Sequence, residues 1–456
     1  MKLLELPPDI LIDNILLHLD AATLARLSST CRLFKTLADD ELLWKHRVFQ
    51  DYNLPHDASF RHSGWKTLYA QLSDSAVYTW GTNNDRRLGH SEEQQTMQPF
   101  LRGHRARIAF PMYSVNKPKE VTALRGKGIV DIMAGGWSFH ALDRHGRVWM
   151  WGTMQEDVAY SASLGTRLIA SPTRVELPEH IRIRSVSCGR SHAISLAQDG
   201  SVWHWNNLWA PQQVNIPTEG TVIQVTANWG YSSVLTCRGE LFIIPQPANI
   251  RERPEAPQDP MEVHMPALTL ADLDLDTSQG DKIVQVTGLE KCTIALTRTG
   301  RVIKIRTEPI VDFVASPAQN AVELCKFGAT DPEDNDRSRR MYRFITGQFR
   351  NFAVYTSDGK ALLGDQDADQ DTEPRLFPEL QRDICKVTFG DYHSGALTNH
   401  GELLTWGAYS DGALGHGESR DAEQTVPKTV EELQDKFVFA VGFGGWHSGA
   451  LTIPRT

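Results

Sequence analysis

The chain reads as mostly β: a seven-bladed propeller closed by strands from both ends of its repeat region, preceded by a small α-helical domain. Three observations carry this reading. A glycine turn between two short strands recurs at Gly146, Gly200, Gly239, Gly300, Gly359 and Gly401. The stretch "FVFAVGFGGWHSGALT" (437–452) lacks a following strand, while "SDSAVYTWGTNNDRRLGH" (73–90) lacks preceding ones. The first fifty residues, by contrast, space their apolar side chains for helices.

In chain order, the helical region (1–50) begins at Leu6-Pro7-Pro8-Asp9, a helix start with proline near the first turn and an early acid to complement the dipole. Ile10, Leu11, Ile15 and Leu19 recur at helical spacing. Asp20 is placed to cap a second helix carrying Leu24 and Leu27, and Thr30 to cap a third with Leu33, Phe34 and Leu37. Asp39 or Asp40 precedes "ELLWKHRVF". About fifty residues of helix make a poor independent core, so their apolar faces need a partner or a neighbouring domain. In the linker (51–74), Trp65, Leu68, Tyr69 and Leu72 fall at i, i+3, i+4 and i+7, which predicts an amphipathic helix. No Gly/Ser run loosens this junction.

The propeller occupies 75–454. Each unit opens with a short strand: "IVDIMAGG" (129–136), "IRSVSCG" (183–189), "VIQVTA" (222–227), "IVQVTG" (283–288) and "ICKVTFG" (384–390). A run of small and apolar residues leads to the turn glycine, and an alternating run such as "RVWMW" follows, the pattern of a β-hairpin. Turn glycines lie 54, 39, 61, 59 and 42 residues apart, which suits propeller blades with variable loops. Pairing the first segment with the last makes a composite seventh blade and removes the free sheet edges between the ends.

"GDYHSGALT" (390–398) and "GGWHSGALT" (444–452) raise the question of a nucleophile and its base. His393 and His447 occupy one slot of the repeat, filled again by His192, and by Ser138, Tyr231, Cys292 and Asn351 elsewhere. A residue copied around a ring reads as structural, its imidazole satisfying buried backbone groups. The longest insertions, 91–128, 246–282 and 328–342, and the acidic run 364–374, read as solvated loops. Arg102, Arg105, Arg107, Arg339 and Arg340 are the candidate target-binding residues among them. The "DQDADQD" run lacks the spaced glycine and terminal glutamate of a calcium loop.

The repeat, with its His-Ser, "ALT", glycine turn, "WG" and "LG", resembles that of the regulator-of-chromosome-condensation family, which implies a seven-bladed propeller closed by strands from both termini. The likeness is strong around 129–165 and 384–417 and in the composite blade, and weak from 222 to 365. Residues 6–45 resemble the F-box in "LP", "IL…IL…L", "L…L…TCR.F..L" and "LW". That resemblance implies docking on a Skp-type adaptor and, through it, on a cullin–RING ligase. Leu6, Pro7, Ile10, Leu11, Ile15, Leu24, Leu27, Leu42 and Trp44 would face or support that adaptor.

The bulk properties narrow the function. A net charge of −9 favours neither nucleic acid nor an anionic membrane. Acids at Glu5, Asp9 and Asp13 interrupt any signal-peptide core, and no apolar run is long enough to span a membrane. Six scattered cysteines form no Cys-x-x-Cys pair, so neither a zinc site nor a disulfide framework is expected, and a reducing compartment, cytoplasm or nucleus, is. No Walker loop, HExxH or triad appears, and no cofactor is expected. The expected function is therefore a non-catalytic substrate receptor of a ubiquitin ligase. The alternatives are an exchange factor for a Ran-type GTPase, a chromatin-associated scaffold, and an F-box protein acting outside a ligase.

Overall fold

The computed structural model describes residues 6–55, 59, 61–83, 86–90, 114–154, 168–248, 255–308, 316–328, 344–356, 359–381, 383–408, 411–417 and 423–455. Its helices are α1 (Pro8–Asn14), α2 (Ala21–Ser28), α3 (Arg32–Leu37), α4 (Glu41–Tyr52) and α5 (Trp65–Gln71). Asp20 and Asp40 cap α2 and α4, accepting the backbone N–H of Thr23 at 2.6 Å and of Leu43 at 3.0 Å. Thr30 does not cap α3. Cys31 holds that position without a side-chain bond, and the Thr30 hydroxyl donates back to the Leu27 carbonyl at 2.7 Å. The last carbonyls of α2 are unsatisfied acceptors within one turn, and a threonine there reaches them first.

Seven sheets follow, each of antiparallel strands apart from one short parallel addition, and their innermost strands neighbour one another in a closed cycle. Blade 1 runs from Ile129 to Arg174, blade 2 from Ile183 to Asn215, blade 3 from Val222 to Pro245 and blade 4 from Ile283 to Glu323. Blade 5 runs from Phe344 to Asp365 and blade 6 from Ile384 to Thr429. Blade 7 is the composite: Lys436–Phe443 and His447–Pro454 pair with Ala76–Thr82 and Ser114–Glu120, with Trp80 opposite Ser448 and Gly81 opposite His447. The turn glycines Gly146 to Gly401 all sit at φ between 75° and 90°, open to glycine at little cost, so the hairpins depend on them.

Three insertions differ from the solvated loops expected of them. In 91–128, Ser114–Glu120 is the outer strand of blade 7, and Val121 and Leu124 are buried after it. In 246–282, Met261–Glu262 adds to the outer edge of blade 2, and Leu268, Leu270 and Leu273 enter the core beside blade 3. Blade 3 has three strands, and Leu268 bridges to Leu241 where a fourth would lie. In 364–374, Ala368 is buried and Lys304 of blade 4 donates to the carbonyls of Gln366 and Ala368, and the next residue, Arg375, bridges to Leu363 of three-stranded blade 5. An ammonium from the next blade thus fixes an acidic turn. Isolated apolar residues in polar segments were the signal for all three, since each covers a strand edge that would otherwise be wet.

The His slot seals the seams between blades. His192 Nε2 donates to the Tyr231 carbonyl of blade 3 at 3.1 Å, and His447 Nε2 donates to the Ser138 carbonyl of blade 1 at 3.2 Å. His393 Nε2 lies 2.8 Å from Ser448 Oγ of blade 7. That hydroxyl donates to the Ala413 carbonyl at 2.8 Å, so it accepts from the imidazole. Ser448, next to His447 in sequence, is therefore engaged by His393 of blade 6, while His447 itself bonds blade 1. Burial drives His393 down to about 3, His192 to about 4 and His447 well below the usual imidazole range. Where the slot changes, another residue spans the seam. Asn228 of blade 3 donates to the Cys292 carbonyl of blade 4 at 2.9 Å. His140 of blade 1 accepts from Trp205 Nε1 of blade 2 and lies 3.2 Å from Cys188 Sγ, its own pKa held down to about 3 by burial.

A register shift follows the first residue of the inner strand in five blades, for example between Val222 and Gln224 and between Ile283 and Gln285, and the third residue in blade 7. Such bulges turn a side chain out of the sheet. Gln224 and Gln285 use this to bond both backbone groups of one residue in the next inner strand, Val286 and Ile345 respectively. The seven inner strands enclose a central channel of about 150 Å³. Pro55 lies at one mouth, and Gln348 spans the other, donating to the Ala134 carbonyl at 2.6 Å.

Candidate interaction site

The helical domain is held together from two directions. Leu11, Leu16, Leu24, Phe34, Leu37 and Leu43 form a small core of their own. Trp44, Val48 and Leu54, on and just after α4, instead belong to the core of the propeller, with Trp65, Leu68 and Leu72. Two faces of one helix thus serve two cores, which leaves α4 little freedom to pivot.

The nine residues expected to face or support a partner sort into three groups. Leu11, Leu24 and Trp44 are buried within the chain itself. Trp44 Nε1 donates to the Ala38 carbonyl at 2.6 Å, and its ring lies 5.0 Å from that of Tyr69. Leu6, Ile15 and Leu27 are half-buried against the small core. Pro7, Ile10 and Leu42 point to solvent, Ile10 with 44% of its surface exposed and Leu42 with 71%. Leu33, spaced with Phe34 and Leu37 along α3, is 37% exposed and joins this outward set. Its signal was present, because the small core is filled by Phe34 and Leu37 and leaves no place for a third side chain of α3. In "ELLWK" the same logic holds: three consecutive apolar residues cannot share one helix face, and Leu42 is the one turned out. Ile10, Leu33 and Leu42 are three of the seven large apolar side chains exposed among the described residues, within a tenth of the chain. Covering a fully exposed side chain of this size stabilises by roughly 1.5–3 kcal/mol, and Ile10 and Leu33, already more than half covered, would contribute less than Leu42.

Polar contacts then fix the domain to the ring. The Glu41 carboxylate accepts the backbone N–H of Gly64 at 3.0 Å and of Trp65 at 2.9 Å, so an acid of α4 caps the start of α5. Tyr69 donates to Asp51 at 2.7 Å, and Arg47 pairs with Asp51 at 3.0 Å. Burial, then the bond to Asp51, pushes the Tyr69 phenol up to about 12. Asn53 Nδ2 donates to the Ile183 carbonyl of blade 2 at 3.0 Å, and Gln198 donates to Asn53 at 2.9 Å. Arg61 donates to the Asn399 carbonyl of blade 6 at 2.7 Å and stacks 5.0 Å over Phe437 of blade 7. The ring residues in these contacts, Ile183, Gln198, Asn399 and Phe437, lie where inner strands begin or hairpin glycines turn. Among the described residues, the helices and linker therefore cover one face of the ring and not the other.

Arg102, Arg105, Arg107, Arg339 and Arg340 lie outside the described residues. Among the described residues no cluster of metal-ligating side chains occurs, and no helix is long and apolar enough to cross a membrane.

Comparison with known proteins agrees with this division. Residues 3–50 match the F-box-like family model, and residues 74–142 and 400–451 match the regulator of chromosome condensation (RCC1) repeat, in blades 7, 1 and 6. Over the whole chain the sequence is similar to the F-box protein pof9 of Schizosaccharomyces pombe, at 22% identity over 99% of this chain and 90% of that protein. It is similar to SCF-associated factor 1 of Saccharomyces cerevisiae at 24% identity, over 60% of this chain and 43% of that longer protein. Among solved structures, yeast Prp20p aligns with a TM-score of 0.57 and 15% identity, covering 87% of this chain and 96% of that one. Human WBSCR16 aligns with a TM-score of 0.58 and 18% identity, over 84% and 100%. At such identities the structural matches speak for the fold alone. The chain carries an F-box-like segment followed by a seven-bladed propeller with RCC1 repeats.

Proposed function

We propose that this chain is a substrate-recruiting subunit of a Skp–cullin–F-box ubiquitin ligase, non-catalytic itself. The observation that carries the reading is the outward set Pro7, Ile10, Leu33 and Leu42 on an F-box-like segment whose core is complete without them. A Skp-type adaptor covering that set would connect the chain to a cullin–RING ligase. The sequence similarity to an F-box protein and to an SCF-associated factor supports the same partner class. The chain's contribution is proximity: a target held on the ring reaches the ubiquitin-loaded enzyme at a high effective concentration. The Glu41, Asp51 and Arg61 contacts serve this by holding the ring in a set orientation to the adaptor side. A cytoplasmic or nuclear place goes with this reading, as do the six free cysteines.

Co-purification with a Skp-type adaptor and cullin tests it. Wild type is expected to retain both, and an Ile10→Asp/Leu42→Asp variant to lose the adaptor by about 100-fold, because two charges would be buried in an apolar contact. Because both side chains are exposed, the variant should melt like wild type. Failure of the wild type to bind any Skp-type adaptor would sink the proposal. The exchange-factor alternative predicts accelerated nucleotide release from a Ran-type GTPase, and none is expected.

A further inference from the structure

The ring face away from the helices carries an aromatic crown. It is built from the short loops that join the first and second strands of each blade. Trp137 of blade 1 and Trp229 of blade 3 flank Arg190 of blade 2, whose guanidinium lies 4.9 Å from the first ring and 4.3 Å from the second. Trp229 meets Phe349 of blade 5 edge-on at 5.7 Å. Tyr392 of blade 6 lies 6.3 Å from Trp446 of blade 7. Phe349 is buried under this layer, the three tryptophans are half-buried, and Tyr392 is 46% exposed.

We propose that this crown is the target-binding surface, and that its occupant is an unphosphorylated protein segment that seats an apolar side chain among the tryptophans. Three features favour that occupant. Tryptophan, tyrosine and arginine dominate the binding energy of protein interfaces. The rings are already packed against one another, so little freedom is lost on binding. The charges on the crown loops balance locally. Arg190, Lys291 and Arg350 stand against Glu290 and Asp391, with Glu308 beside Lys291. Arg350 is paired with Glu290 at 3.0 Å. Among the described residues, charges balanced in this way set up no field that would draw a phosphopeptide or nucleic acid. The opposite face is excluded by the linker and helices already on it. The surface is read from the ring alone, and only its description as a target site rests on the receptor function proposed above.

The test is selection of peptides from an unphosphorylated random library on the immobilised full chain, followed by anisotropy titration of the selected peptides. Peptides with a shared apolar anchor are expected. Their affinity should fall at least about tenfold with Trp229→Ala, recover with Trp229→Phe, and hold with Val426→Ala, an exposed apolar position on the outer strand of blade 6. Raising salt tenfold should change it less than about twofold. Selected peptides that bind the Trp229→Ala variant as well as wild type would overturn the proposal, as would a requirement for acidic residues with strong salt dependence, or no selected binder at all. A dimer of the chain abolished by Trp229→Ala would reassign the face to a second copy. Trp229→Ala should leave adaptor co-purification intact. If peptides bind the crown while no adaptor binds wild type, the surface stands and the receptor reading falls.

Discussion

The outward face of the helical domain and the seams of the ring contain the two plainest motifs in the chain, and they do opposite things. In the helices, apolar side chains exceed what the small core can hold, and the surplus stands in solvent. In the ring, His393, His447 and Ser448 look chemically active, yet they are buried and bonded across blades. The lesson is about surplus. A side chain that the fold does not use, left in the environment it avoids, points to a partner. A reactive-looking group that is buried between blades and spent on a bond across the seam points to structure.

The comparison can be broken most severely with acid. His140, His192, His393 and His447 are neutral in the folded ring, with pKa values held far below those of the unfolded chain. Because these folded values are depressed, the unfolded chain binds more protons. Their contribution is fully present above about pH 6.5 and is lost as pH falls towards the folded values, about 3 for His140 and His393 and about 4 for His192. Once all four titrate in the unfolded chain, stability should fall by roughly 5 kcal/mol per pH unit. Urea midpoints at neutral and mildly acid pH would measure this. A His192→Gln/His393→Gln variant should flatten the slope by about half. A slope unchanged in that variant would show that the seams do not depend on neutral imidazole.

Trp44→Ala and Leu42→Asp sharpen the contrast within one helix. Removing the buried indole should cost about 3–5 kcal/mol in a chemical melt, because it empties the contact between α4 and α5. Leu42→Asp, one residue earlier, should stay within about 0.5 kcal/mol of wild type while adaptor binding is lost. Equal stability losses would place Leu42 in the core and remove the surplus.

The smallest effect expected is at a seam. Gln285→Leu keeps the shape of the inner strand but removes both bonds to Ile345, leaving its backbone groups unpaired at a cost of about 1–3 kcal/mol. Hydrogen exchange at the Ile345 amide should rise with it. No change there would mean that the bulge alone sets the blade spacing.

Much of the fold was legible because its signals are local. The hairpin glycines, the alternating strands and the caps at Asp20 and Asp40 each depend on neighbours within a few residues. Thr30 was misread because a hydroxyl between two helices can serve the end of one or the start of the next, and only the path of the chain decides. The insertions were misread because their composition is polar on average, while the few apolar residues in them, Leu268 and Ala368 among them, do the packing.

Periodicity and spacing within the sequence were enough to specify helices before a ring, the closure of that ring by its two ends, and a segment with more apolar surface than its own core could hold. They could not specify which of those apolar residues stay outside, what each histidine bonds, or which face of the ring is left open. Those follow from contacts between residues tens to hundreds of positions apart: His447 with Ser138, Arg61 with Asn399, Arg190 with Trp137 and Trp229. Local dihedral preferences act along the chain and can be read from it. Burial and hydrogen-bond satisfaction act across space, and they are settled only when the blades and helices have packed.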